Sequence, residues 1–220
     1  MVHKNQKPYI NVLIFDFDGV IIDSRDDIAG AVEYSLKHFG RPPLPRDEII
    51  SYIGWGADNL IRSCFKGCDD EVIREAISFY KKYYLDNSVK ETKLYKNVEE
   101  TLDFFKGKKI ALVTNKPEDI SLSILDKLGV ADRFNIVIGP ESLKKLKPDP
   151  EGILKVLDAF GEDPKKTIMI GDTYTDVEAG KAAGTYTCGV TYGIGSTEDL
   201  LKASPDYIVD DIIKLTDIII

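Results

Sequence analysis

Residues 12–19 read VLIFDFDG, four apolar residues followed by Asp16 and Asp18, which lie two positions apart. The apolar run predicts a buried strand, and residues two apart on a strand point to the same side. We therefore expect both carboxylates to meet at the carboxyl end of this strand, the edge at which open α/β sheets bind ligands. Two like charges held together need a cation, a proton or a reaction that uses both.

Two simpler interpretations of this stretch compete with a functional site. A calcium-binding loop requires glycine at its sixth position, where this chain has Ile21, so the calcium interpretation is weak. A plain turn after a strand also favours Asp and Gly, and the motif alone leaves that alternative open. The ends of the other strands must decide between a site and a turn.

The composition limits the classes of partner. The chain has 220 residues, enough for one large or two modest domains, and its 43% hydrophobic residues are ordinary for a well-cored protein. Its net charge is -8 and it has no basic run, so we expect no nucleic-acid partner. An acidic protein that handles an anionic substrate must concentrate positive charge locally, through a metal or a few lysines.

The cysteines and the hydropathy predict a cytoplasmic protein without a membrane partner. The three cysteines form no CxxC or Cys/His ladder, a pattern typical of reduced thiols. We see no long apolar segment with a small-residue cleavage site near the N-terminus, and the apolar run 218–220 is too short to span a bilayer. His3 and His38 have no recognisable partner, so both are expected at the surface.

Short apolar runs alternate with helical patterns along the chain. The runs typical of strands cover residues 12–15, 110–114, 134–138, 167–170, 186–191 and 207–209. Such alternation predicts an α/β fold with a parallel sheet and helices on both faces.

The segment between the first two strands breaks this alternation. It has no convincing strand, and Ser24 with Asp27 predicts a capping box at the start of a helix. A longer helix is expected from about Asp70, with an apolar face formed by Val72, Ala76, Phe79, Tyr80 and Tyr83. The segment therefore predicts an inserted, all-helical domain.

Polar residues follow the second and third strands as well. Thr114 and Asn115 precede a helix, where a hydroxyl and helix-start amides would form a cradle of donors for phosphoryl oxygens. Ordinary N-capping by the same two residues is an equally good interpretation. Lys147 lies between Leu146 and Pro148 just before a helix, so its ammonium would be held in place to offset phosphate charge.

Two more carboxylates follow the fourth strand. Asp176 lies at a helix start, where the helix dipole alone would stabilise it. Asp172, together with Asp16, would complete a hard oxygen site for Mg²⁺, an ion that favours few carboxylates, retained waters and substrate phosphate. Four separate coincidences would be needed for all these strand ends to be ordinary turns and caps.

In their order along the chain these four motifs resemble those of the haloacid dehalogenase superfamily of phosphotransferases. The resemblance covers nearly the whole chain and implies a Rossmann-like core, residues 1–20 and 89–220, with a mobile helical cap at 21–88. It implies that Asp16 is the nucleophile that forms an aspartyl-phosphate and that Asp18 is the acid and then the base.

The same resemblance implies the remaining roles at the site. Mg²⁺ would bind Asp16, the Asp18 carbonyl and Asp172, and Asp176 would act through water or by orienting Lys147. Thr114 and Lys147 would act in catalysis, and with Asn115 they would bind the substrate. The implied partner is a small anionic phosphate ester, and the chain would be a monomer or a homodimer.

Departures from the pattern narrow the subfamily. Asp18 argues against dehalogenases and phosphonate hydrolases, which lack it, and Ile28 occupies a position where β-phosphoglucomutases typically have histidine. The segment 51–60 resembles the substrate-facing loop of phosphoglycolate phosphatases, although a simple interhelical turn fits equally well. In that resemblance Gly54 and Gly56 let the backbone approach the substrate and Trp55 shapes the pocket.

We therefore predict a Mg²⁺-dependent phosphatase that hydrolyses a small, phosphoglycolate-like phosphomonoester. An inorganic pyrophosphatase and a sugar-phosphate mutase on the same core are the enzymatic alternatives. A signalling receiver domain, which holds phosphoaspartate without turnover, is the alternative that is not an enzyme.

Overall fold

The structure, a computed structural model, describes residues 7–220. Its strands and helices are, in chain order, β1 (Val12–Phe15), β2 (Ile22–Asp23), α1 (Arg25–His38), α2 (Arg46–Ile50), α3 (Ala57–Cys64), α4 (Asp70–Asn87), β3 (Lys93–Leu94), α5 (Val98–Phe104), β4 (Lys109–Val113), α6 (Glu118–Lys127), β5 (Ile136–Ile138), α7 (Glu151–Phe160), β6 (Thr167–Gly171), α8 (Tyr174–Ala183), β7 (Tyr186–Val190), α9 (Thr197–Lys202), β8 (Tyr207–Val209) and α10 (Leu215–Ile218).

Six of these strands form one parallel sheet in the order β5-β4-β1-β6-β7-β8. The strand β1 lies between β4 and β6 and is completely buried, which is why its sequence is a continuous apolar run rather than an alternating one. Leu13 and Phe15 pack into one core cluster, whereas Val12 and Ile14 pack into a second. Since the two clusters include different helices, the predicted α/β fold with helices on both faces is confirmed.

The strand boundaries differ slightly from the prediction. The second predicted strand ends at Val113 rather than Thr114, and the third begins at Ile136 rather than Phe134. A short 3₁₀ turn at Ala131–Arg133 delays the latter strand. The Asn135 side chain, directly before β5, accepts a hydrogen bond from the Ile110 backbone N–H of β4 at 2.8 Å.

Helices α1 to α4 occupy the chain between β1 and β4, and they pack mainly on each other. The prediction of no strand in this segment was wrong at one point. Ile22 and Asp23 pair antiparallel with Leu94 and Lys93, so a two-stranded ribbon ties the two ends of the helical segment together. The boundaries 21–88 for a separate cap domain stay a prediction.

The capping box predicted at the start of α1 does not form. Ser24 is the N-cap residue, but its hydroxyl donates to Asp18 Oδ1 at 2.5 Å instead of capping the helix. The Asp27 carboxylate accepts hydrogen bonds from the backbone N–H groups of residues 90–92. Both side chains therefore serve contacts far along the chain, which a local motif does not reveal.

The apolar face of α4 is rotated by about one residue from the predicted one. Its buried residues are Ile73, Ala76, Ile77, Tyr80 and Tyr84. The other predicted members are half-buried, and Tyr83 stacks on Tyr34 of α1 with ring centroids 4.1 Å apart. Aromatic contacts between α1 and α4 thus continue the face beyond the core.

Two further predictions concern the surface. His38 is exposed, as predicted, and His3 lies outside the described residues. No helix within residues 7–220 is both long and apolar enough to cross a membrane.

Candidate active site

Three neighbouring strands bring the predicted polar residues to one edge of the sheet. Asp16 follows β1, Thr114 follows β4 and Asp172 follows β6, and all three residues are buried. Because β4 and β6 pair with β1 in parallel, their carboxyl ends meet at the same edge. Lys147 joins them from the loop that precedes α7, and its side chain is only 3% exposed.

Lys147 is held between two carboxylates. Its ammonium donates to Asp176 Oδ1 at 2.6 Å and to the Val113 carbonyl at 2.9 Å. It also lies 2.8 Å from Asp16 Oδ1, at the distance of an ion pair but without the direction of a hydrogen bond. The two carboxylates raise the pKa of Lys147 against the opposing effect of its burial, which is the largest single influence. Lys147 therefore stays charged.

One oxygen of the Asp172 carboxylate has hydrogen-bond partners, whereas the other has none among the described residues. Its Oδ2 accepts hydrogen bonds from the backbone N–H groups of Ile194 at 2.7 Å and Gly195 at 2.8 Å. Gly19 has a φ of +84°, and a Cβ there would lie 2.0 Å from Asp172 Oδ2. Only glycine permits this approach, so the DFDG stretch brings its backbone directly against the second acidic motif.

The acidic residues fit a cation. Oxygens of Asp16, Asp172 and Asp176 lie within 4.8 Å of one another, and Asp16 Oδ1 and Asp172 Oδ1 are buried without a hydrogen-bond partner among the described residues. Burial, assisted by neighbouring carboxylates, raises the pKa of Asp16 to about 7 and that of Asp172 to about 8. Lys147 offsets only part of the negative charge of these carboxylates. Such a cluster suits a hard divalent ion that prefers oxygen ligands.

Asp176 differs from the other two acids because both of its oxygens have protein partners. Its Oδ1 accepts from Lys147, and its Oδ2 accepts from the Thr173 N–H at 3.1 Å and the Thr173 hydroxyl at 2.6 Å. These contacts form a capping box at the start of α8. They favour a role for Asp176 in positioning Lys147 rather than in direct coordination.

The Asp18 side chain has partners of its own. Because β1 ends at Phe15, the turn rather than the strand pleat directs Asp16 and Asp18, although both line one cavity. Asp18 accepts from Ser24 and from the Lys116 ammonium, which lies 2.9 Å from Oδ1 and 3.2 Å from Oδ2. Asp18 therefore pairs with Lys116, whereas Asp16 pairs with Lys147.

Sequence reasoning missed Lys116. Its side chain is 3% exposed, and its ammonium also donates to the Tyr84 hydroxyl of α4 at 2.8 Å. The available signal was its place directly after Thr114 and Asn115, between a buried strand and a helix start. That signal is weak, because a lysine is usually expected to be a solvated surface residue.

Asn115 links the helical segment to the core. Its side-chain amide donates to the Gly54 carbonyl at 2.9 Å and to the Lys147 carbonyl at 3.2 Å, and it accepts from the Lys147 N–H at 3.0 Å. The Thr114 hydroxyl oxygen accepts from the Lys116 N–H at 3.2 Å, which leaves its own hydrogen for another acceptor. Direct substrate binding by Asn115 stays a prediction.

The predicted loop residues line two cavities. Gly54 and Gly56 line an inner cavity of about 30 Å³ together with Asp16, Asp18 and Lys116. Trp55 instead lines an outer cleft of about 430 Å³ and contacts Tyr174, with ring centroids 5.7 Å apart. The structure thus places Gly56 at the inner cavity, Gly54 at both cavities and Trp55 outside the inner one.

Comparison with known proteins gives a consistent result. Residues 13–190 match the family described as haloacid dehalogenase-like hydrolase. A phosphoglycolate phosphatase from Aquifex aeolicus (strain VF5) is 37% identical over 213 residues, which cover 94% of this chain and 97% of the relative. A phosphoglycolate phosphatase from Psychrobacter arcticus is 36% identical over 216 residues, 94% of each chain.

A solved structure extends the likeness to three dimensions. The crystal structure of a predicted phosphoglycolate phosphatase from Haemophilus somnus 129pt superposes with a TM-score of 0.91 at 30% sequence identity. The match covers 96% of this chain and 98% of that one, so it includes the helical segment as well as the sheet.

Proposed function

Since the chain belongs to the haloacid dehalogenase-like hydrolases, we propose that it is a Mg²⁺-dependent phosphatase of small phosphomonoesters, with 2-phosphoglycolate as its leading substrate. One observation supports this proposal above the others. Asp16 and Asp172 each present a buried oxygen without a hydrogen-bond partner among residues 7–220, and Lys147 lies beside Asp16. This combination of acids and a fixed cation suits a phosphoryl group and a metal together.

Asp16 and Asp172 would hold the ion, joined by the Asp18 carbonyl as the family resemblance implies. When bound, Mg²⁺ offsets the charge of the phosphoryl oxygens and of the carboxylates that hold it. The burial of both acids supports this assignment, because burial is the main cause of their raised pKa values and a bound cation would stabilise the ionised form that burial disfavours.

The protein groups divide the reaction between them. Asp16 attacks phosphorus and forms an aspartyl-phosphate, so that one difficult displacement becomes two easier ones. Lys147 and the Thr114 hydroxyl stabilise the phosphoryl oxygens. Asp18 gives a proton to the leaving alcohol and then takes one from the water that hydrolyses the intermediate. Its place two positions after the nucleophile, in the same cavity, supports this double role.

The helical segment supports a short substrate. The inner cavity is small, about 30 Å³, and the Gly54 carbonyl accepts a hydrogen bond from Asn115, which also lines the cavity. We propose that residues 21–88 form a cap that moves to admit the substrate and then excludes water. A short phosphate ester fits under such a cap better than a nucleotide or a large sugar phosphate. The relatives named phosphoglycolate phosphatase support the same choice.

Phosphate release from a panel of compounds tests the proposal. We expect release from 2-phosphoglycolate with Mg²⁺, little release from pyrophosphate or hexose phosphates, and none with a chelator. Asp16→Asn should lower kcat by about 10⁴-fold or more because it removes the nucleophile. Asp132→Asn, an exposed substitution of the same kind, should leave the rate unchanged.

Four results would contradict the proposal. Conversion of a hexose 1-phosphate without net phosphate would indicate a mutase, and preferred cleavage of pyrophosphate would indicate a pyrophosphatase. A single stoichiometric phosphorylation without turnover would indicate a receiver domain. Undiminished activity of Asp16→Asn would exclude Asp16 as the nucleophile.

A further inference from the structure

Lys116 is a buried cation whose hydrogen-bond partners are one carboxylate and one hydroxyl. An ammonium group has three N–H donors. The Lys116 ammonium has three acceptor atoms within hydrogen-bond distance: Asp18 Oδ1 at 2.9 Å, Asp18 Oδ2 at 3.2 Å and the Tyr84 hydroxyl at 2.8 Å. A carboxylate that enters the cavity can replace Asp18 Oδ2, the most distant of the three, as the acceptor of one N–H.

Lys116 is also the only cationic residue, among those described, that lines the inner cavity. Lys147 does not line this cavity, although its ammonium lies 2.8 Å from Asp16, which does. The walls near Lys116 are largely apolar and include Ile28, Ile53 and Leu60. In such surroundings a charged partner interacts more strongly than it would in water.

The place of Lys116 relative to the reaction follows from its contact with Asp18, and this step rests on the proposed function. The acid that protonates the leaving alcohol must lie beside the ester oxygen. Lys116 bonds to both oxygens of Asp18, so it lies on the side of the leaving group rather than of the phosphoryl oxygens. A substituent of the alcohol that lies one or two carbons from the ester oxygen therefore comes near this ammonium.

We propose that Lys116 determines specificity by binding a carboxylate on the leaving group. The substrate class is then short phosphomonoesters whose alcohol is a 2-hydroxycarboxylate, because the small cavity limits length and the single cation selects a negative charge. Tyr84, which comes from α4, orients the Lys116 ammonium from the helical segment. The contact between Tyr84 and Lys116 thus has two effects. It helps to bind the carboxylate, and it holds the helical segment over the site.

Two substrates of equal length separate this role from a general one. In 2-hydroxyethyl phosphate the carboxylate of 2-phosphoglycolate is replaced by a neutral hydroxymethyl group. We expect the wild-type protein with Mg²⁺ to favour 2-phosphoglycolate in kcat/KM by about 10- to 100-fold, the size of one charge-assisted hydrogen bond. K116M should lose most of that preference, through a larger fall for 2-phosphoglycolate than for 2-hydroxyethyl phosphate.

Control variants distinguish binding of the substrate carboxylate by Lys116 from an effect of Lys116 on Asp18. K106M changes an exposed lysine and should leave both rates and their ratio unchanged. K116Q, which keeps an N–H donor without the charge, should lose the preference as K116M does, and it serves if K116M does not fold. An equal fall for both substrates in these variants would overturn the proposal, since it would show that Lys116 acts only through Asp18. A wild-type protein without a preference would overturn it too.

A binding measurement keeps this inference separate from the proposed function. Calorimetry on D16N, with Mg²⁺, compares the Kd values of the same two compounds without turnover. Tighter binding of 2-phosphoglycolate, lost in the D16N/K116M double variant, supports carboxylate recognition even if the wild-type protein releases no phosphate. Equal affinities, or no binding of either compound, would overturn it.

Discussion

The Lys147 ammonium donates to Asp176 Oδ1 at 2.6 Å, and both side chains are almost completely buried. A buried ion pair stabilises a fold only while both partners are present, because removal of one leaves an uncompensated charge. Here the same ammonium also lies 2.8 Å from Asp16 Oδ1, so two carboxylates depend on it.

Lys147→Met should therefore lower the free energy of unfolding by about 3 to 5 kcal/mol near pH 8. The loss should be smaller near pH 5, where Asp16, with a pKa of about 7, is protonated and needs no counterion. Urea unfolding at the two pH values measures the difference. Lys145→Met, a change of an exposed lysine two positions earlier, should stay within about 0.5 kcal/mol of the wild type. Equal losses at both pH values would contradict the expectation.

The acids at the proposed metal site should make the stability of the metal-free protein depend on pH. Burial is the main cause that raises the pKa of Asp16 from 3.8 to about 7 and that of Asp172 from 3.8 to about 8. The folded protein holds these protons more tightly than the unfolded chain. Their contribution to stability is therefore complete below a pH of about 4 and is lost as the pH rises through about 7 to 8.

We expect the Tm of chelator-treated protein to fall between about pH 6 and pH 8.5, and Mg²⁺ to raise it more at the higher pH. Asp172→Asn removes one of the titrating groups and one ligand, so its metal-free Tm near pH 8 should exceed that of the wild type. Mg²⁺ should then shift the Tm of this variant much less. A full Mg²⁺ shift in Asp172→Asn would exclude Asp172 as a ligand.

Asp27 should stabilise the junction between the helical segment and the sheet. Its carboxylate accepts hydrogen bonds from the N–H groups of Lys90, Glu91 and Thr92 and from the Thr92 hydroxyl. Burial alone would raise the pKa of Asp27, but these bonds hold it below its ordinary value. The Asp27 contribution is consequently present above a pH of about 4 and is lost as the pH falls through the lowered pKa.

Asp27→Ala leaves those backbone donors without their acceptor and should cost about 1 to 3 kcal/mol at neutral pH. Asp27→Asn, which keeps one oxygen, should cost less. Hydrogen exchange of residues 88–92 should become faster in Asp27→Ala at neutral pH. The neighbouring Asp26→Ala removes only an exposed ion pair with Arg46 and should change neither quantity appreciably. Unchanged exchange in Asp27→Ala would show that this junction does not depend on the carboxylate.

Gly56 should be required for the contact between its loop and the core. It has φ 87° and ψ 155°, a conformation that is almost exclusive to glycine. An added Cβ would also lie 3.2 Å from the Asn115 carbonyl and 3.2 Å from the Leu146 side chain. Gly56→Ala should therefore lower stability by about 1 to 3 kcal/mol and displace the neighbouring Gly54 from Asn115.

The expected kinetic result for Gly56→Ala is a higher KM for the substrate, because the displaced loop no longer closes the inner cavity. Gly67→Ala is a matched control, since Gly67 also has a positive φ of 81° but its Cβ would meet nothing within 4 Å. That variant should lose stability without a change in KM. A similar KM for both variants would show that the loop contact does not matter for binding.

The sequence by itself determined the sheet and most of the residues at its site. Continuous apolar runs marked strands buried on both faces, and polar residues directly after them had to lie at one edge of a parallel sheet. These are properties of neighbouring residues, so Asp16, Thr114, Lys147 and Asp172 could be identified from local patterns. The exceptions were also local, such as the 3₁₀ turn that moved the start of β5.

Only the tertiary structure decided which charges meet. Lys116 and Asp18 are 98 positions apart, and Asp27 is 63 to 65 positions from the backbone groups that it holds. A residue-by-residue pattern carries no information about such partners, because the strand order and the packing of the helical segment bring them together. For that reason Ser24 and Asp27 read as a local helix cap in the sequence, whereas in the fold they join segments that the chain keeps far apart.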